Sequence, residues 1–333
     1  MIQLLSKVGI NGFLLCLLAS IFLAWLFPGF GTEHSPLHLK EVAEYGVSFI
    51  FFFYGLKLSP EKLKAGLSNW KLHLLIQAST FIIFPVLLMT ARHFFDPANQ
   101  SVLWMGAFYL ATLPSTVSSS VVFVGIAGGN IPAAIFNASI SSIIGIFVTP
   151  LWMSGLLENA NADFDITHTI LKLCLEVLLP VVVGFLLYGK FGKWAGKYNT
   201  QLRYFDQTVI LLIVYTSFSE SFAGKMFEGH SLTEICILGG LMLLLFFVIF
   251  GIMQALSNLL SFSREDKIAV LFCGSKKSLI QGVVMGKVLF PDASILGLVL
   301  LPLMLYHALQ LLAGSTIAQA MGEKHPANVI KSE

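Results

Sequence analysis

Ser275-Lys276-Lys277-Ser278 lies inside residues 268–290, a stretch otherwise apolar enough to cross a bilayer. A lysine at the bilayer centre of a lone helix costs about 2.5–3.5 kcal/mol on insertion scales. Two in succession are therefore expected to face a partner, water or a ligand, and not lipid. Each ammonium offers three donors and a positive charge, which suits backbone carbonyls or a carboxylate, sulfate or phosphate group. A second polar run, Pro114-Ser115-Thr116-Val117-Ser118-Ser119-Ser120, interrupts the apolar residues 103–126. The candidate substrate or ion site is accordingly Ser115, Thr116, Ser118, Ser119, Ser120, Ser275, Lys276, Lys277 and Ser278, joined by Asn137 and Ser141 from the next apolar segment. Secondary candidates are Gln77 and Thr80, one turn apart, the carboxylate of Glu220, and His307 with Gln310, whose spacing puts them on one helix face.

The elements that position these groups follow from composition. Of 333 residues, 56% are hydrophobic and only 11% charged, where a soluble domain has about a quarter charged. The chain reads as an all-α polytopic membrane protein, a bacterial source implying the cell inner membrane. Its four cysteines, Cys16, Cys174, Cys236 and Cys273, sit in apolar runs without CxxC spacing, so neither a disulfide framework nor a zinc site is expected. No cofactor is implied. A net charge of +2 gives no reason to expect a nucleic-acid partner, and the absence of a GxxxxGK[ST] run argues against primary active transport.

Windows of about 20 apolar residues place spans near 10–28, 41–57, 73–91, 103–126, 131–155, 168–188, 207–223, 232–259, 267–290 and 294–319, about ten in all. The first is read as retained, because no small-residue cleavage site follows it. With both termini cytoplasmic, 13 of the 20 Lys and Arg fall inside: Lys7, Lys57, Lys62, Lys64, Lys71, Lys190, Lys193, Lys197, Arg203, Arg264, Lys267, Lys324 and Lys331. Lys40, Arg92, Lys172, Lys225 and Lys287 fall on the other side. This is the bias of the positive-inside rule, and it requires an even number of spans.

The two halves share a pattern. Residues 1–157 hold five spans, 158–166 form a polar linker, 167–320 hold five more, and 321–333 form a cytoplasmic tail. Halves with an odd span count insert with opposite orientation, the geometry of inverted repeats. In the first half the Pro114 to Ser120 break is followed by an apolar stretch, Gly128-Gly129-Asn130-Ile131-Pro132 and another span. In the second, Gly274 to Ser278 is followed by an apolar stretch, Phe290-Pro291-Asp292 and another span. Helices broken in hydrocarbon free amides and carbonyls that only protein or cavity water can receive, so matched breaks mark a central site.

These motifs resemble the bile acid:sodium symporter superfamily, in the branch of solute carrier family 10 member 7. The resemblance rests on Gly55-Leu56-Lys57-Leu58-Ser59-Pro60-Glu61-Lys62-Leu63-Lys64, Phe84-Pro85, the Pro114 break, Gly129-Asn130, Thr149-Pro150 and Gly274 to Ser278, in that order along nearly the whole chain. It implies ten helices in two inverted five-helix repeats, with spans four and nine broken and crossing. Spans three to five and eight to ten would form a core, and one, two, six and seven a panel, with substrate between them. It also implies that sodium ions sit behind the crossover in coupled relatives. The relatives' Ser-Asn pair after the fourth-span proline falls on Ser119 and Ser120, and their Gln, Asn and Ser after the ninth-span glycine fall on Lys276, Lys277 and Ser278. Their acidic sodium ligand falls on Phe272, and fifth-span ligands fall on Ala134 and Ala138. A carboxylate is lost and two lysines gained, so an ammonium is expected in the place of sodium.

The leading reading is a secondary transporter of a small organic anion working by alternating access, not classically sodium-coupled, though proton or sodium coupling is open. The family's relatives are symporters. Two other classes compete. One is a non-transporting membrane regulator or sensor of ion homeostasis. The other is an intramembrane Ser-Lys hydrolase using a cross-span pair such as Ser119 with Lys276; adjacent Ser275 and Lys276 point apart on a helix. The non-enzyme readings are preferred, since hydrolysis has no need of two repeated breaks. One side chain of the lysine pair is expected to be structural, held by Ser118, Ser119, Ser120 or Asn137, and the other to line the crevice. Cysteines introduced at Asn161 and Lys193 are predicted to be labelled from opposite faces of the membrane by an impermeant thiol reagent; labelling from one face would overturn the five-plus-five reading.

Overall fold

The computed structural model describes residues 12–33, 35–58, 60, 69–95, 101–160, 167, 171–172, 174–225, 228 and 231–323, and among these every regular element is helical. In chain order they are α1 (Gly12–Leu26), α2 (Leu39–Leu56), α3 (Trp70–Ala78), α4 (Phe84–Phe95), α5 (Val102–Thr112), α6 (Ser118–Ile126) and α7 (Ile131–Ala160). There follow α8 (Leu179–Leu186), α9 (Tyr188–Lys197), α10 (Asn199–Ala223), α11 (Leu232–Leu259), α12 (Arg264–Gly274), α13 (Leu279–Leu289) and α14 (Ala293–Glu323). A π-turn, Ser79–Ile83, joins α3 to α4, and another, Cys174–Leu178, leads into α8.

Helix starts follow local chemistry. Asn69, Ser101, Ser231, Ser263 and Ser278 each accept a backbone N–H from the first turn of α3, α5, α11, α12 and α13, which removes one of the unpaired amides every helix start exposes. Proline ends α5: Leu113 precedes Pro114 and is extended at φ −70° and ψ 152°, as the proline ring demands. Pro150 and Pro302 instead lie inside α7 and α14, which continue through them.

Among the described residues, five helical stretches are long and apolar enough to cross a membrane: Trp70–Arg92, Ile131–Leu156, Leu232–Leu259, Arg264–Leu289 and Ile295–Gly322. Cys174–Leu186 and Tyr188–Lys197 form an apolar pair bent by 97°, which would be a sixth only if taken as a single span, and Leu15–Leu26 and Val102–Thr112 are shorter apolar helices. Of the other windows, 103–126 is split at its break into α5 and α6, 41–57 and 207–223 are the unbroken helices α2 and α10, and 10–28 begins outside the described residues. The first residues of the expected linker are helical. Glu158, Asn159 and Ala160 are the last residues of α7, residues 161–166 lie outside the described residues, and the tail expectation holds described structure only to Glu323.

Packing sorts the helices. α1 packs on α10, α10 on α2 and α2 on α8, while α3 to α7 and α11 to α14 form a second group, with α10 meeting α13 and α14 between them. In the first group α2 and α8 touch through glycine: a Cβ on Gly55 would strike the main-chain oxygen of Val181, and one on Gly184 that of Phe52. In the second, α12 and α13 run through the interior, and Ile268 to Gly274 are all buried. Gly184→Val is predicted to lower the thermal unfolding midpoint in detergent, an overpacking cost of about 1–3 kcal/mol. Gly251→Ala, with nothing within 4 Å of the added Cβ, should hold or raise it, since alanine is favoured in helices by about 1 kcal/mol. Equal midpoints for both variants would contradict the close approach.

Candidate functional site

The two interrupted helices meet at their breaks. α5 and α12 both end there, and α6 and α13 both begin there, so carbonyl-bearing ends and amide-bearing ends converge in a buried place. A helix leaves its last four carbonyls unpaired and its C-terminus partially negative. The sequence supplies a hydroxyl for each carbonyl at the end of α12. Leu271 O accepts from Ser275 Oγ (2.6 Å), Phe272 O from Ser120 Oγ (3.1 Å), Cys273 O from Ser115 Oγ (2.7 Å), Gly274 O from Ser79 Oγ (2.7 Å) and Ser275 O from the Tyr306 hydroxyl (2.7 Å).

The end of α5 is satisfied differently. Lys277 Nζ donates to Ala111 O, Leu113 O and, from the π-turn after α3, Thr80 O, each at 2.7 Å. Thr112 O between them accepts from Thr149 Oγ1 at 2.8 Å, and Pro114 O accepts from the Ser278 N–H at 2.9 Å. Three carbonyl oxygens match the three N–H donors of an ammonium; a neutral amine would turn its lone pair toward one of them. The Phe84 ring covers the remaining side, its centroid 4.1 Å from Nζ. The backbone of Lys277 is clamped as well, its N–H donating to Gln310 Oε1 at 2.9 Å and its carbonyl accepting from Gln310 Nε2 at 2.8 Å. Gln310 Nε2 also lies 3.0 Å from His307 Nδ1, which therefore accepts.

Lys276 is held more loosely. Its Nζ reaches one carbonyl, Ser119 O at 3.2 Å, and lies 3.3 Å from the centroid of Phe123 and 5.7 Å from that of Phe272. The ring of Phe272 stands where coupled relatives are expected to carry a carboxylate, and it offers a π-face in its place. Both lysines are fully buried.

Several expectations change. Residues 275–278 are not helical, so the two lysines are not separated by a helical step, and in this conformation neither lines an open crevice. The partners of Lys277 come from the third and fourth spans through main-chain oxygens, not from serine hydroxyls or Asn137. Ser119 contributes its carbonyl to Lys276, while its buried Oγ has no partner and makes no bond to the Lys276 ammonium. Thr80 likewise acts through its carbonyl, its hydroxyl returning to Ile76 O. Ser141 Oγ accepts the Ser115 N–H at 2.9 Å, and Ser278 caps α13. Thr116 is buried, and the side chain of Ser118 lies outside the described residues. Asn137 belongs to a neighbouring cluster: its Nδ2 donates to Ala133 O (2.9 Å) and to His73 Nδ1 (2.8 Å), and Gln77 Nε2 donates to its Oδ1 (3.2 Å). Ser79, Tyr306, Thr149 and His73 were not among the expected residues, although each is a polar group inside an apolar window, the signal that marked the others.

Glu220 lies elsewhere. It lines a cavity of about 440 Å³ between α2, α10 and the α13–α14 connection, with Lys40, Lys172, Glu176 and Lys287. Glu220 Oε1 accepts the Glu33 N–H at 2.6 Å, and Lys172 lies 3.9 Å from Glu176. Among the described residues no three His, Cys, Asp or Glu side chains gather to hold a metal.

Lys277→Met leaves three buried carbonyls without a donor and is predicted to cost about 3–5 kcal/mol. Lys276→Met loses one carbonyl and its ring contacts, at about 1–2 kcal/mol. Thermal midpoints of the purified proteins check the order, and a larger loss in the Lys276 variant would contradict the assignment.

The sequence is similar to known proteins over most of its length. The sequence model of the SBF-like CPA transporter family matches residues 11–323. An uncharacterised protein of Pseudomonas aeruginosa is 37% identical over 313 residues, covering 93% of this chain and 92% of its own. Sodium/bile acid cotransporter 7 of Danio rerio is 31% identical over 325 residues, 94% of each chain, and that of Rattus norvegicus 30% identical over 318 residues, 95% of this chain and 93% of its own. From end to end of its described helices, the chain belongs to the SBF-like CPA transporter family.

Proposed function

We propose that this chain is a secondary transporter of a small organic anion, moving its solute by alternating access. In this reading ten crossings form two inverted five-helix repeats, with both termini on the cytoplasmic side. α3 to α7 and α11 to α14 form the moving core, and α1, α2, α8 and α10 the panel. Support comes from the two helix groups, from the matched breaks at α5/α6 and α12/α13, and from the cavity at the seam between the groups. Lys40, Lys172 and Lys287 line that cavity with Glu176 and Glu220, and Lys40 is also paired with Glu33 at 3.0 Å; the lysines are the groups that a negatively charged solute would meet there. Directional accumulation of radiolabelled organic anions in proteoliposomes, starting from a bile acid because relatives carry that name, tests the activity.

The observation that carries the coupling reading is the clasp of Lys277 by Thr80 O, Ala111 O and Leu113 O. Three carbonyls converging on a monovalent positive charge are what a sodium ion would ask of the same place, and here the charge is covalently attached. Phe272, lacking any oxygen on its side chain, adds no ligand. The chain is thus a transporter without classical sodium coupling, its driving gradient carried elsewhere, with protons the alternative. Exchanging sodium for potassium or choline at constant ionic strength is expected to leave the thermal midpoint unchanged and any uptake within about twofold, since a ligand stabilises only where it binds the folded state. A saturable, sodium-specific rise in midpoint would overturn this.

A further inference from the structure

α9 leaves the preceding apolar segment at 97°. A helix that turns by about a right angle where a membrane segment ends runs along the surface. Its sequence suits that position. At 100° per residue, Lys190, Lys193 and Lys197 fall within a sector of about 60°, and all are exposed. On the opposite side Ala195 is fully buried with Leu56 and Leu202, against Phe52, Phe53 and Leu187. Between these faces Phe191 and Trp194 are 40% and 46% exposed. The Lys190 ammonium lies 5.5 Å from the Phe191 ring centroid and that of Lys197 lies 5.6 Å from Tyr198. Residues 188–200 contain no acidic side chain.

We infer that α9 is an in-plane helix whose lysine face binds the headgroups of anionic phospholipids, with Phe191 and Trp194 seated at headgroup level. A helix lying in the membrane plane after the 97° turn would hold its lysines at the depth of lipid phosphates, and aromatic side chains beside lysines are the composition of interfacial helices. A soluble acidic partner would meet the lysines but gives no reason for the exposed aromatics. Because α9 packs on the end of α2 and the start of α10, the contact fixes the depth of that helix group. Only the further consequence, a panel held still while the core moves, rests on the transport reading.

The test uses the whole purified chain in phosphatidylcholine vesicles containing an equal fraction of either brominated phosphatidylglycerol or brominated phosphatidylcholine. The share of emission due to Trp194 is taken as the difference between the parent and Trp194→Phe. At low salt the anionic lipid is expected to quench that share more strongly, with a lipid preference of about fivefold per lysine at the surface. Lys190→Gln, Lys193→Gln and Lys197→Gln together should remove the difference; if that protein does not fold, a salt titration of the parent, which screens the contact, reads the same quantity. Equal quenching by the two lipids at low salt, no quenching of Trp194 by either, or a preference that survives the triple substitution overturns the inference. Displacement by inorganic phosphate beyond that by chloride at equal ionic strength also overturns it, assigning the lysines to a free anion. The assay contains no transported solute, so a failure of the transport reading leaves its outcome untouched.

Discussion

The ammonium of Lys277 is the constraint on which the centre of this protein depends. Two helices end in the interior, and each end presents carbonyls whose dipoles point the same way. Without water these oxygens need donors, and without a counter-charge their combined negative potential would push the two ends apart. A single ammonium meets both requirements, donating to three oxygens while adding a positive charge at the end of α5. Gln310 holds the backbone from which this side chain departs, so that the donor is fixed at both its root and its tip.

The second ending uses neutral chemistry. Five consecutive carbonyls, from Leu271 to Ser275, are received by hydroxyls of four serines and a tyrosine drawn from the π-turn after α3, the α5–α6 break, α6, α14 and the break itself. Each such bond contributes about 1 kcal/mol net, but leaving a buried acceptor unpaired costs about 1–3 kcal/mol. The crossing is thus a set of mutual obligations among helices, and displacement of one shifts the partners of several. Lys276 stands apart from this set, with one carbonyl and two aromatic faces, and Ser119 Oγ beside it is left unpaired.

Charge is distributed with the same economy. The interior cations are met by carbonyl oxygens and rings, while the carboxylates that are described lie toward the ends of the helices, as in the Lys57–Asp206 pair at 3.3 Å and the Asp266 carboxylate, which accepts from Asn69 and Asn130. The last contact ties the start of α3 and the α6–α7 turn to the start of α12, so the helices that meet at the crossing are also joined at one end of the bundle. The seam between the two helix groups, by contrast, encloses the cavity.

The sequence by itself determined the membrane class, the family and both interruptions. Apolar windows are long, proline fixes the conformation before it, and a lysine pair within hydrocarbon has few tolerable surroundings. It also determined the helix starts, since Asn69, Ser101, Ser231, Ser263 and Ser278 cap through bonds to residues three positions on. Which atoms meet at the crossing was left to the tertiary structure. The partners of Lys277 are main-chain oxygens at Thr80, Ala111 and Leu113, and a carbonyl is common to every residue, so no side-chain pattern announces it. Asn137 and Ser119 looked equivalent as polar residues near a break, yet one joins His73 and Gln77 and the other lends only its backbone. The physical reason is range: caps, breaks and hydropathy are set within a few residues, whereas the choice among many equivalent acceptors is made by helices distant in sequence, whose packing depends on contacts such as Gly55 with Val181 and Gly184 with Phe52 that only the folded chain brings together.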